Sequence, residues 1–181
     1  MRKTILILLS ICLMYFVTVA CSQRAKRSQQ SEQTAVATQS METVAEMAPE
    51  FSLPDLQGND LALSSLRGKY VVLDFWGSWC VWCIRGIPHM KETYAKYKDR
   101  MEILGIDCQD PEDKWKAAVE NYELPWLQVR CSDDKLGILA KQYQIEGFPT
   151  KAVIDPEGRL LKVSSGEDPA FYTYLDELLA K

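Results

Sequence analysis

The stretch DFWGSWCVWCIRGIP, from Asp74 to Pro88, decides the fold of this chain. Cys80 and Cys83 are separated by two residues, and tryptophans stand on either side of Cys80. The run YVVLDFW at residues 70–76 is short and nearly all apolar, which is typical of a strand buried on both faces. A helical pattern follows from Val81. The sequence therefore predicts a cysteine pair at the point where a buried strand leads into a helix.

Strands and helices alternate on both sides of this stretch. A hairpin-like entry is expected at residues 49–69, around Gly58-Asn59-Asp60. Further strands are predicted at residues 101–107, 126–131 and within 151–166, and helices at 81–100, 112–123, 135–145 and 168–181. The last strands form a hairpin with a DPEG turn, and the last helix has Asp168 as cap and Pro169 at its first position. This alternation favours a three-layer α/β sheet.

The N-terminus has the three parts of a secretory signal at residues 1–20: a basic start, an apolar run and the small residue Ala20. An uncleaved anchor helix is the alternative. The apolar run is slightly short for a span, which needs ~20 apolar residues. More basic residues follow the run than precede it, against the positive-inside tendency. Both alternatives place the chain outside the cytoplasm.

Composition bounds the rest of the chain. Residues 21–47 are polar and rich in Gln, Ser and Thr, so we expect a flexible tether there and one folded domain at residues 48–181. The chain has 25 acidic and 21 basic residues, a net charge of −4. This mild acidity does not favour nucleic-acid binding, and we expect a monomer.

The six cysteines allow several kinds of chemistry. A structural zinc site needs four thiolate or imidazole ligands, usually as two close pairs. Cys108 and Cys131 are far apart in sequence, and His89 is the single histidine of the chain. A copper carrier would need a histidine further along the chain than His89. We therefore expect no metal and no cofactor, and we assign no role to His89.

Redox chemistry fits Cys80 and Cys83 better. Their spacing places both sulfurs on one side of a first helical turn. At the helix N-terminus, free N–H groups and the helix dipole stabilise a thiolate at Cys80, whereas the chain above should shield Cys83. One attacking thiol and one resolving thiol are what disulfide exchange requires.

Three motifs in order resemble the thioredoxin superfamily, in its membrane-tethered TlpA/ResA branch. They are APEFSLPDLQG (48–58), VVLDFWGSWCVWC (71–83) and GFPTKAVIDPEGRL (147–160). The resemblance covers residues 48–181. It implies a thioredoxin-like three-layer α/β/α sandwich with an N-terminal β-hairpin and a helix–strand insertion at residues 111–131. It also implies a thiol-disulfide oxidoreductase that acts on protein disulfides and draws electrons from a membrane thiol-disulfide relay.

The segment TVAC at residues 18–21 resembles the lipobox of bacterial lipoproteins. The resemblance implies lipidation of Cys21 and a membrane-tethered domain in the cell envelope, facing the periplasm. Thr18 departs from the leucine that the family prefers, so plain secretion stays open as an alternative. The choice between inner and outer membrane also stays open.

By position, the resemblance assigns Cys80 as nucleophile, Cys83 as resolving cysteine and Pro149 as the cis-proline. Trp79 matches the tryptophan beside the nucleophile. We expect Trp79, Val81 and Trp82 to contact substrate at the rim of the site. A cis bond before Pro149, which costs only ~0.5–1 kcal/mol at X–Pro, would turn the backbone of Phe148 toward an extended peptide.

The chain differs from the TlpA/ResA branch in the position of the acidic residue expected near the cysteine pair. The branch often has a glutamate three residues after the second cysteine, where this chain has Gly86, and an asparagine in the strand where it has Asp74. The sequence thus indicates an acid supplied from the strand instead of the helix. In an apolar strand, Asp74 should have a raised pKa and could accept the proton of Cys83. The alternative is a core acid satisfied by backbone hydrogen bonds.

The dipeptide Val81-Trp82 between the cysteines offers no charge to stabilise a thiolate. We therefore expect a reducing potential and the direction of a disulfide reductase. A peroxiredoxin-like peroxidase would want threonine or serine at Gly77. The other alternative is a non-enzymatic binding module in which the cysteine pair is only a structural disulfide. Such a disulfide would add little stability, because closing so short a loop removes little entropy from the unfolded chain.

A second disulfide is also expected. Cys108 and Cys131 end two strands joined by one helix, which should lie parallel and side by side. Neighbouring strands lie ~4.8 Å apart, within the ~4.4–6.8 Å Cα range of a disulfide. In an oxidising compartment, we expect these two cysteines to form a structural bridge.

Overall fold

A computed structural model describes residues 45–180 of the chain. The predicted signal, Cys21 and nearly all of the predicted tether lie outside the described residues. The elements are β1 (Ser52–Pro54), β2 (Asp60–Ala62), a 3-10 turn (Leu63–Leu66), β3 (Tyr70–Trp76), α1 (Val81–Tyr97), β4 (Met101–Cys108), α2 (Glu112–Asn121), β5 (Leu127–Cys131), α3 (Asp133–Gln142), β6 (Thr150–Ile154), β7 (Leu160–Ser165) and α4 (Pro169–Leu179). None of the helices in this part of the chain is both long and apolar enough to cross a membrane.

Strand β3 is the centre of a five-stranded sheet with the order β5-β4-β3-β6-β7. Strands β3, β4 and β5 are parallel, and β6 and β7 are antiparallel to their neighbours. The register places Asp74 of β3 between Gly105 of β4 and Lys151 of β6. A strand with neighbours on both sides and cover on both faces explains the continuous apolar run that leads to the cysteines.

The two faces of the sheet carry separate cores, because side chains alternate along a strand. Leu73 and Phe75 face a core that includes Leu53 of the β1–β2 hairpin and Tyr143 at the end of α3. The opposite face is covered by helices α1, α2 and α4.

This second face carries the residues of β3 that lie nearest the cysteines. Val72 packs with Met90 of α1 and Phe171 of α4, and Trp76 packs with Trp115 of α2. Asp74 lies between Val72 and Trp76 on the same strand, and alternation therefore directs it to this helix-covered face. The predicted α/β/α sandwich is confirmed, with its entry hairpin and its inserted α2–β5 segment.

Local signals fixed several boundaries. Asp168 caps α4 as predicted, since its carboxylate accepts a hydrogen bond of 2.9 Å from the backbone N–H of Ala170. Helix α1 ends at Tyr97, three residues before the predicted end, because the chain turns there into β4. The ordered contacts begin slightly before the predicted domain start, since Glu46 accepts a hydrogen bond from the Leu160 N–H of β7.

The predicted bridge between Cys108 and Cys131 is wrong, because both thiols are free and buried. The topology was correct: the two residues are register partners on parallel strands β4 and β5. In-register side chains of neighbouring strands run side by side about 4.8 Å apart, wider than the ~3.8 Å between the Cβ atoms of a disulfide. Each thiol instead contacts a backbone carbonyl near it in sequence, Ile106 O for Cys108 and Ser132 O for Cys131, at 3.5 Å.

These two thiols should resist alkylation in the folded protein. Burial raises the pKa of the Cys131 thiol to about 11 and raises that of Cys108 further, so neither forms a thiolate near neutral pH. We expect a maleimide to label both cysteines only after unfolding, as followed by mass spectrometry of the two peptides. Recovery of a disulfide-linked 108–131 peptide from native, unreduced protein would contradict this assignment.

The β6–β7 turn is organised by one buried carboxylate. Asp155 accepts hydrogen bonds from the backbone N–H of Glu157 (3.1 Å) and from the N–H and Nε of Arg159 (2.7 and 2.6 Å). Burial works to raise the pKa of Asp155, but the bonds from Arg159 outweigh it and hold the pKa below its usual range. Gly158 closes the turn with φ of +93°, a conformation that other residues rarely adopt.

We expect Asp155→Ala to lower the free energy of unfolding at pH 7 by about 1–3 kcal/mol, because three donors lose their acceptor. The carboxylate contributes this stability above its ordinary pKa of about 3.9, and the contribution is lost as the pH falls through the lower folded value. The difference between wild type and variant in urea denaturation should therefore be smaller at pH 3 than at pH 7. Glu157→Ala, which removes an exposed partner of Arg159, is the matched control, and equal losses in both variants would contradict the assignment.

Candidate active site

The cysteine pair forms a disulfide at the N-terminus of α1. Cys80 is the N-cap residue with an extended backbone, and its Sγ accepts a hydrogen bond of 3.1 Å from the backbone N–H of Cys83. The N–H of Cys80 itself donates to the Gly77 carbonyl at 3.0 Å. The predicted position of the pair, at the junction of a buried strand and a helix, is therefore confirmed.

The predicted difference in exposure between the two sulfurs is absent in this oxidised state. Cys80 is 5% exposed and Cys83 is 7% exposed. Both cysteines belong to a core cluster with Trp76 and Trp115, and Phe148 packs against this cluster. The aromatic cover thus extends over both residues, whereas the prediction considered only the chain above Cys83. What distinguishes the two is backbone position, since Cys80 caps the helix and Cys83 lies within its first turn.

The loop before Cys80 is anchored to the end of β4. The Ser78 N–H and hydroxyl both donate to the Asp110 carboxylate, at 2.6 and 2.8 Å. The Trp79 indole N–H donates to the Cys108 carbonyl at 3.1 Å. Sequence reasoning missed Asp110, because 32 residues separate it from Ser78 and no motif links them.

Gly77 is required by this anchoring. A Cβ at position 77 would lie 2.8 Å from Cε2 of the Trp79 indole and 3.0 Å from the Cys108 carbonyl oxygen. The threonine or serine that a peroxidatic site would want here would displace Trp79 from its hydrogen bond. The local packing therefore disfavours the peroxidase alternative independently of the second cysteine.

An apolar rim surrounds the disulfide. Trp79, Val81 and Trp82 are 47%, 60% and 60% exposed, and they make up half of the six large apolar residues exposed within residues 45–180. The Trp79 ring meets the Phe148 ring edge-on, with centroids 5.2 Å apart. The guanidinium of Arg85 lies 4.9 Å from the centroid of the Trp82 ring. Such clustering of exposed apolar side chains beside a reactive pair is typical of a contact surface.

The Phe148-Pro149 peptide is cis, as the resemblance implied. Pro149 is buried, and its carbonyl accepts a hydrogen bond of 2.7 Å from the Gly166 N–H. Phe148 contacts both Trp79 and the cluster that contains Cys80 and Cys83. The structure thus brings the predicted substrate-contacting residue next to the cysteine pair.

Asp74 is a largely buried acid, with 13% of its side chain exposed, and it lacks a full set of partners. Its Oδ1 has no hydrogen-bond partner, and the nearest cation is the Lys151 Nζ at 3.9 Å. Burial raises the pKa of Asp74; Lys151 opposes this rise and Glu167 adds to it. The predicted raised pKa is confirmed, and the alternative of an acid satisfied by backbone hydrogen bonds does not fit an unpartnered Oδ1.

Sequence reasoning missed a second carboxylate beside Asp74. Glu167 follows β7 and accepts a hydrogen bond of 2.7 Å from Lys151 at Oε2, while the Tyr172 hydroxyl donates to its Oε1. A Cβ at Gly86 would lie 2.6 Å from the Glu167 Cδ, so the carboxylate occupies the space beside that glycine. The interpretation that the strand alone supplies the acid is therefore incomplete.

A third acid lies deeper in the same face of the sheet. Asp107 is fully buried next to Trp76, and neither of its carboxyl oxygens has a hydrogen-bond partner. Burial and the neighbouring Asp110 carboxyl raise the pKa of Asp107 to about 8, so it is protonated near neutral pH. His89 is exposed as expected and stacks on Tyr172, with ring centroids 3.6 Å apart. Within the described residues, no cluster of His, Cys, Asp or Glu could hold a metal ion.

Comparison with known protein families gives one matching model, described as the AhpC/TSA family, over residues 44–163. Among individual relatives, the thiol-disulfide oxidoreductase ResA of Bacillus thuringiensis is 34% identical over 139 residues, which are 76% of this chain and 78% of that protein. The protein of the same name from Geobacillus kaustophilus is 35% identical over 75% of this chain and 74% of its own length.

Solved structures agree with this grouping. The thioredoxin domain of a thiol-disulfide oxidoreductase from Bacteroides vulgatus has a TM-score of 0.68 at 32% identity, covering 75% of this chain and 96% of that domain. A thiol:disulfide interchange protein from a Bacteroides species has a TM-score of 0.69 at 31% identity, covering 76% and 90%. The predicted superfamily and enzyme class are confirmed: the chain belongs to the AhpC/TSA family, where it groups with the ResA-like thiol-disulfide oxidoreductases.

Proposed function

We propose that this thiol-disulfide oxidoreductase works as a reductase of protein disulfides in the cell envelope, through the dithiol form of Cys80 and Cys83. One observation carries the proposal: the pair lies where β3, the strand that carries Asp74, leads into α1, with Cys80 as the N-cap and an exposed apolar rim around it. A helix N-terminus favours a thiolate, the rim suits an apolar stretch of an unfolded or extended protein, and the acid suits proton transfer.

In the first step, the Cys80 thiolate attacks one sulfur of a substrate disulfide. The bond between Cys80 Sγ and that sulfur forms as the substrate S–S bond breaks, and the departing substrate thiolate takes a proton from water. In the second step, Cys83 gives its proton to Asp74 and attacks Cys80 Sγ. The mixed disulfide breaks, the second substrate sulfur leaves as a thiolate that takes up a proton from water, and the Cys80–Cys83 disulfide remains. Two electrons pass from the protein to the substrate.

The direction follows from how little stabilises the Cys80 thiolate. Val81 and Trp82, the two residues between the cysteines, carry no charge, and the helix terminus is the main favourable contribution. Strong oxidants owe their potential to a heavily stabilised thiolate in the reduced form. With only modest stabilisation, Cys80 favours a reducing potential and therefore the donation of electrons.

Substrate contact is assigned to the rim. Trp79, Val81 and Trp82 present apolar surface around the pair, and Phe148 borders it through its contact with Trp79. We assign the backbone of Phe148 to pairing with an extended peptide, like an added strand, beside the buried Pro149. In this arrangement main-chain bonds give affinity without demanding one particular sequence.

The location rests on the N-terminal sequence. The signal pattern at residues 1–20, the lipobox-like TVAC and the polar residues 21–47 support a lipidated Cys21 and a domain tethered at the membrane. The Cys80–Cys83 disulfide that each cycle produces must be reduced again. We assign that step to a membrane thiol-disulfide relay, the electron donor that a dithiol enzyme outside the cytoplasm requires.

Insulin reduction in the presence of dithiothreitol tests the proposed activity. We expect Cys80→Ser to reduce the rate to background, because no attacking thiolate remains. Cys83→Ala should instead accumulate a mixed disulfide, which can be trapped from an envelope extract and identified by mass. Wild-type protein that shows no rate above the Cys80→Ser background would rule out the reductase.

Asp74→Asn tests the proton-transfer step. In the wild type, the resolution rate should rise with pH as Asp74 ionises through its raised pKa, because only the carboxylate can accept the Cys83 proton. The variant should lose this rise and resolve the mixed disulfide roughly a hundredfold more slowly near neutral pH. Single-turnover release of substrate thiol measures the rate, and Cys80 alkylation should change little. Asp113→Asn, at an exposed acid of α2, is the control, and equal rates for Asp74→Asn and wild type would remove Asp74 from the mechanism.

A further inference from the structure

We propose that Glu167 is a positioning residue that holds the Lys151 ammonium away from Asp74, and so keeps Asp74 able to take up the proton of Cys83. The inference rests on the proposed function, because it concerns the acid of the resolution step. The charged cluster consists of Asp74, Lys151 and Glu167, and the sequence motifs pointed only to Asp74.

The geometry is that of one cation between two carboxylates. The Lys151 Nζ lies 2.7 Å from Glu167 Oε2 and 3.9 Å from Asp74 Oδ1. The first distance is a charge-assisted hydrogen bond, and the second is too long for one. Lys151 is almost fully buried, so water cannot replace a missing partner. The ammonium is therefore committed to Glu167, and Asp74 Oδ1 stays without a donor.

One further hydrogen bond and the packing around it keep Glu167 in place. The Tyr172 hydroxyl donates to Oε1, so both oxygens of Glu167 have a donor. Gly86 of α1 leaves the space that the carboxylate needs, since a Cβ there would lie 2.6 Å from the Glu167 Cδ. His89, one turn further along α1, covers the other side of the Tyr172 ring. The side chain of Glu167 is thus fixed by α1, β6 and α4 together.

The cluster lies beneath the part of α1 that carries the resolving cysteine. Gly86 follows Cys83 by three residues, so the two share one face of the helix. Both are buried. Glu167 therefore reaches the side of α1 from which the Cys83 proton has to leave.

Lys151 and Glu167 act on the pKa of Asp74 in opposite directions. An opposite charge within ~4–6 Å lowers the pKa of a carboxyl group by ~1–3 units. Lys151 already lowers the pKa of Asp74, against the larger effect of burial, while Glu167 raises it. Without Glu167, Lys151 would turn fully to Asp74 and hold it as an ion. A carboxylate with so low a proton affinity is a poor general base.

Other titratable groups near Asp74, on either face of the sheet, have a limited influence. Asp107 of β4 has its pKa raised to about 8, so it is uncharged through most of the neutral range. Cys108 of β4 is an uncharged thiol, and Tyr172 of α4 is an uncharged phenol whose pKa is raised by burial. His89 of α1 contacts Tyr172, not Asp74. Lys151 and Glu167 are the charges that act on Asp74.

The test compares two variants that break the same ion pair. The side-chain carboxyl resonance of Asp74 is followed by NMR against pH in the oxidised protein. Glu167→Gln should shift the titration midpoint down by about one pH unit or more, because Lys151 is released to Asp74. Lys151→Met should shift it up, because it removes the cation that lowers the pKa of Asp74. A purely structural role would not produce opposite shifts.

Gly86→Ala gives the same test without changing any charge. The added Cβ displaces the Glu167 carboxylate and should lower the Asp74 midpoint as Glu167→Gln does, so the test does not depend on whether Lys151→Met folds. Glu146→Gln, at an exposed acid after α3, is the matched control and should leave the midpoint unchanged. An unchanged midpoint in both Glu167→Gln and Gly86→Ala, or a shift in the same direction in Glu167→Gln and Lys151→Met, overturns the proposal.

A kinetic measurement separates this inference from the proposed function. In single-turnover assays, the pH profile of mixed-disulfide resolution should move to lower pH in Glu167→Gln and to higher pH in Lys151→Met. The NMR midpoints could move as expected while the pH profile of resolution does not move with them and Asp74→Asn leaves the resolution rate unchanged. In that case Asp74 is not the proton acceptor, and the proposed step fails. If Asp74→Asn slows resolution but Glu167→Gln leaves both midpoint and profile unchanged, the role of Glu167 alone is refuted.

Discussion

The attachment of the loop at residues 77–80 to the end of β4 is the constraint on which the site depends. Two hydrogen bonds from Ser78 to Asp110 and one from Trp79 to the Cys108 carbonyl fix the chain just before Cys80. Because β3 and β4 are parallel neighbours, their carboxyl ends lie together, and the crossover helix α1 begins where the anchored loop ends. Sheet topology thus determines where the helix N-terminus, and with it the cysteine pair, is placed.

The same topology explains why a charged cluster lies inside the protein. A strand covered on both faces leaves little room for ionisable groups, and Asp74 and Lys151 sit there as register partners on β3 and β6. Isolated buried charges are costly, and they persist when they are paired and hydrogen-bonded. Glu167 supplies that pairing for Lys151 but leaves Asp74 incompletely satisfied. Burial without a full set of partners raises the pKa of Asp74 above its usual range.

Much of this fold could be predicted from local signals. The apolar run of β3, the Asp168-Pro169 cap and the DPEG turn each act over a few residues, so the sequence alone locates them. The position of the cysteine pair followed from the apolar run and the spacing of the two cysteines, whereas the cis bond before Pro149 followed from motif resemblance. Asp110 and Glu167 could not be found in this way, because each meets its partner only after the sheet has assembled. The supposed Cys108–Cys131 bridge failed for a related reason: strand adjacency was predicted correctly, but in-register side chains on neighbouring strands lie further apart than the Cβ atoms of a disulfide.

The close approach of Glu167 to Gly86 also links two distant positions in any sequence that adopts this fold. A side chain at position 86 and a carboxylate at position 167 compete for one volume, so they exclude each other. A side chain at position 86 therefore requires the carboxylate at position 167 to move or to be replaced, although the two positions are 81 apart along the chain. Transfer of the helix segment around Cys83 between relatives would be expected to succeed only together with the β7–α4 turn, as a single exchangeable unit.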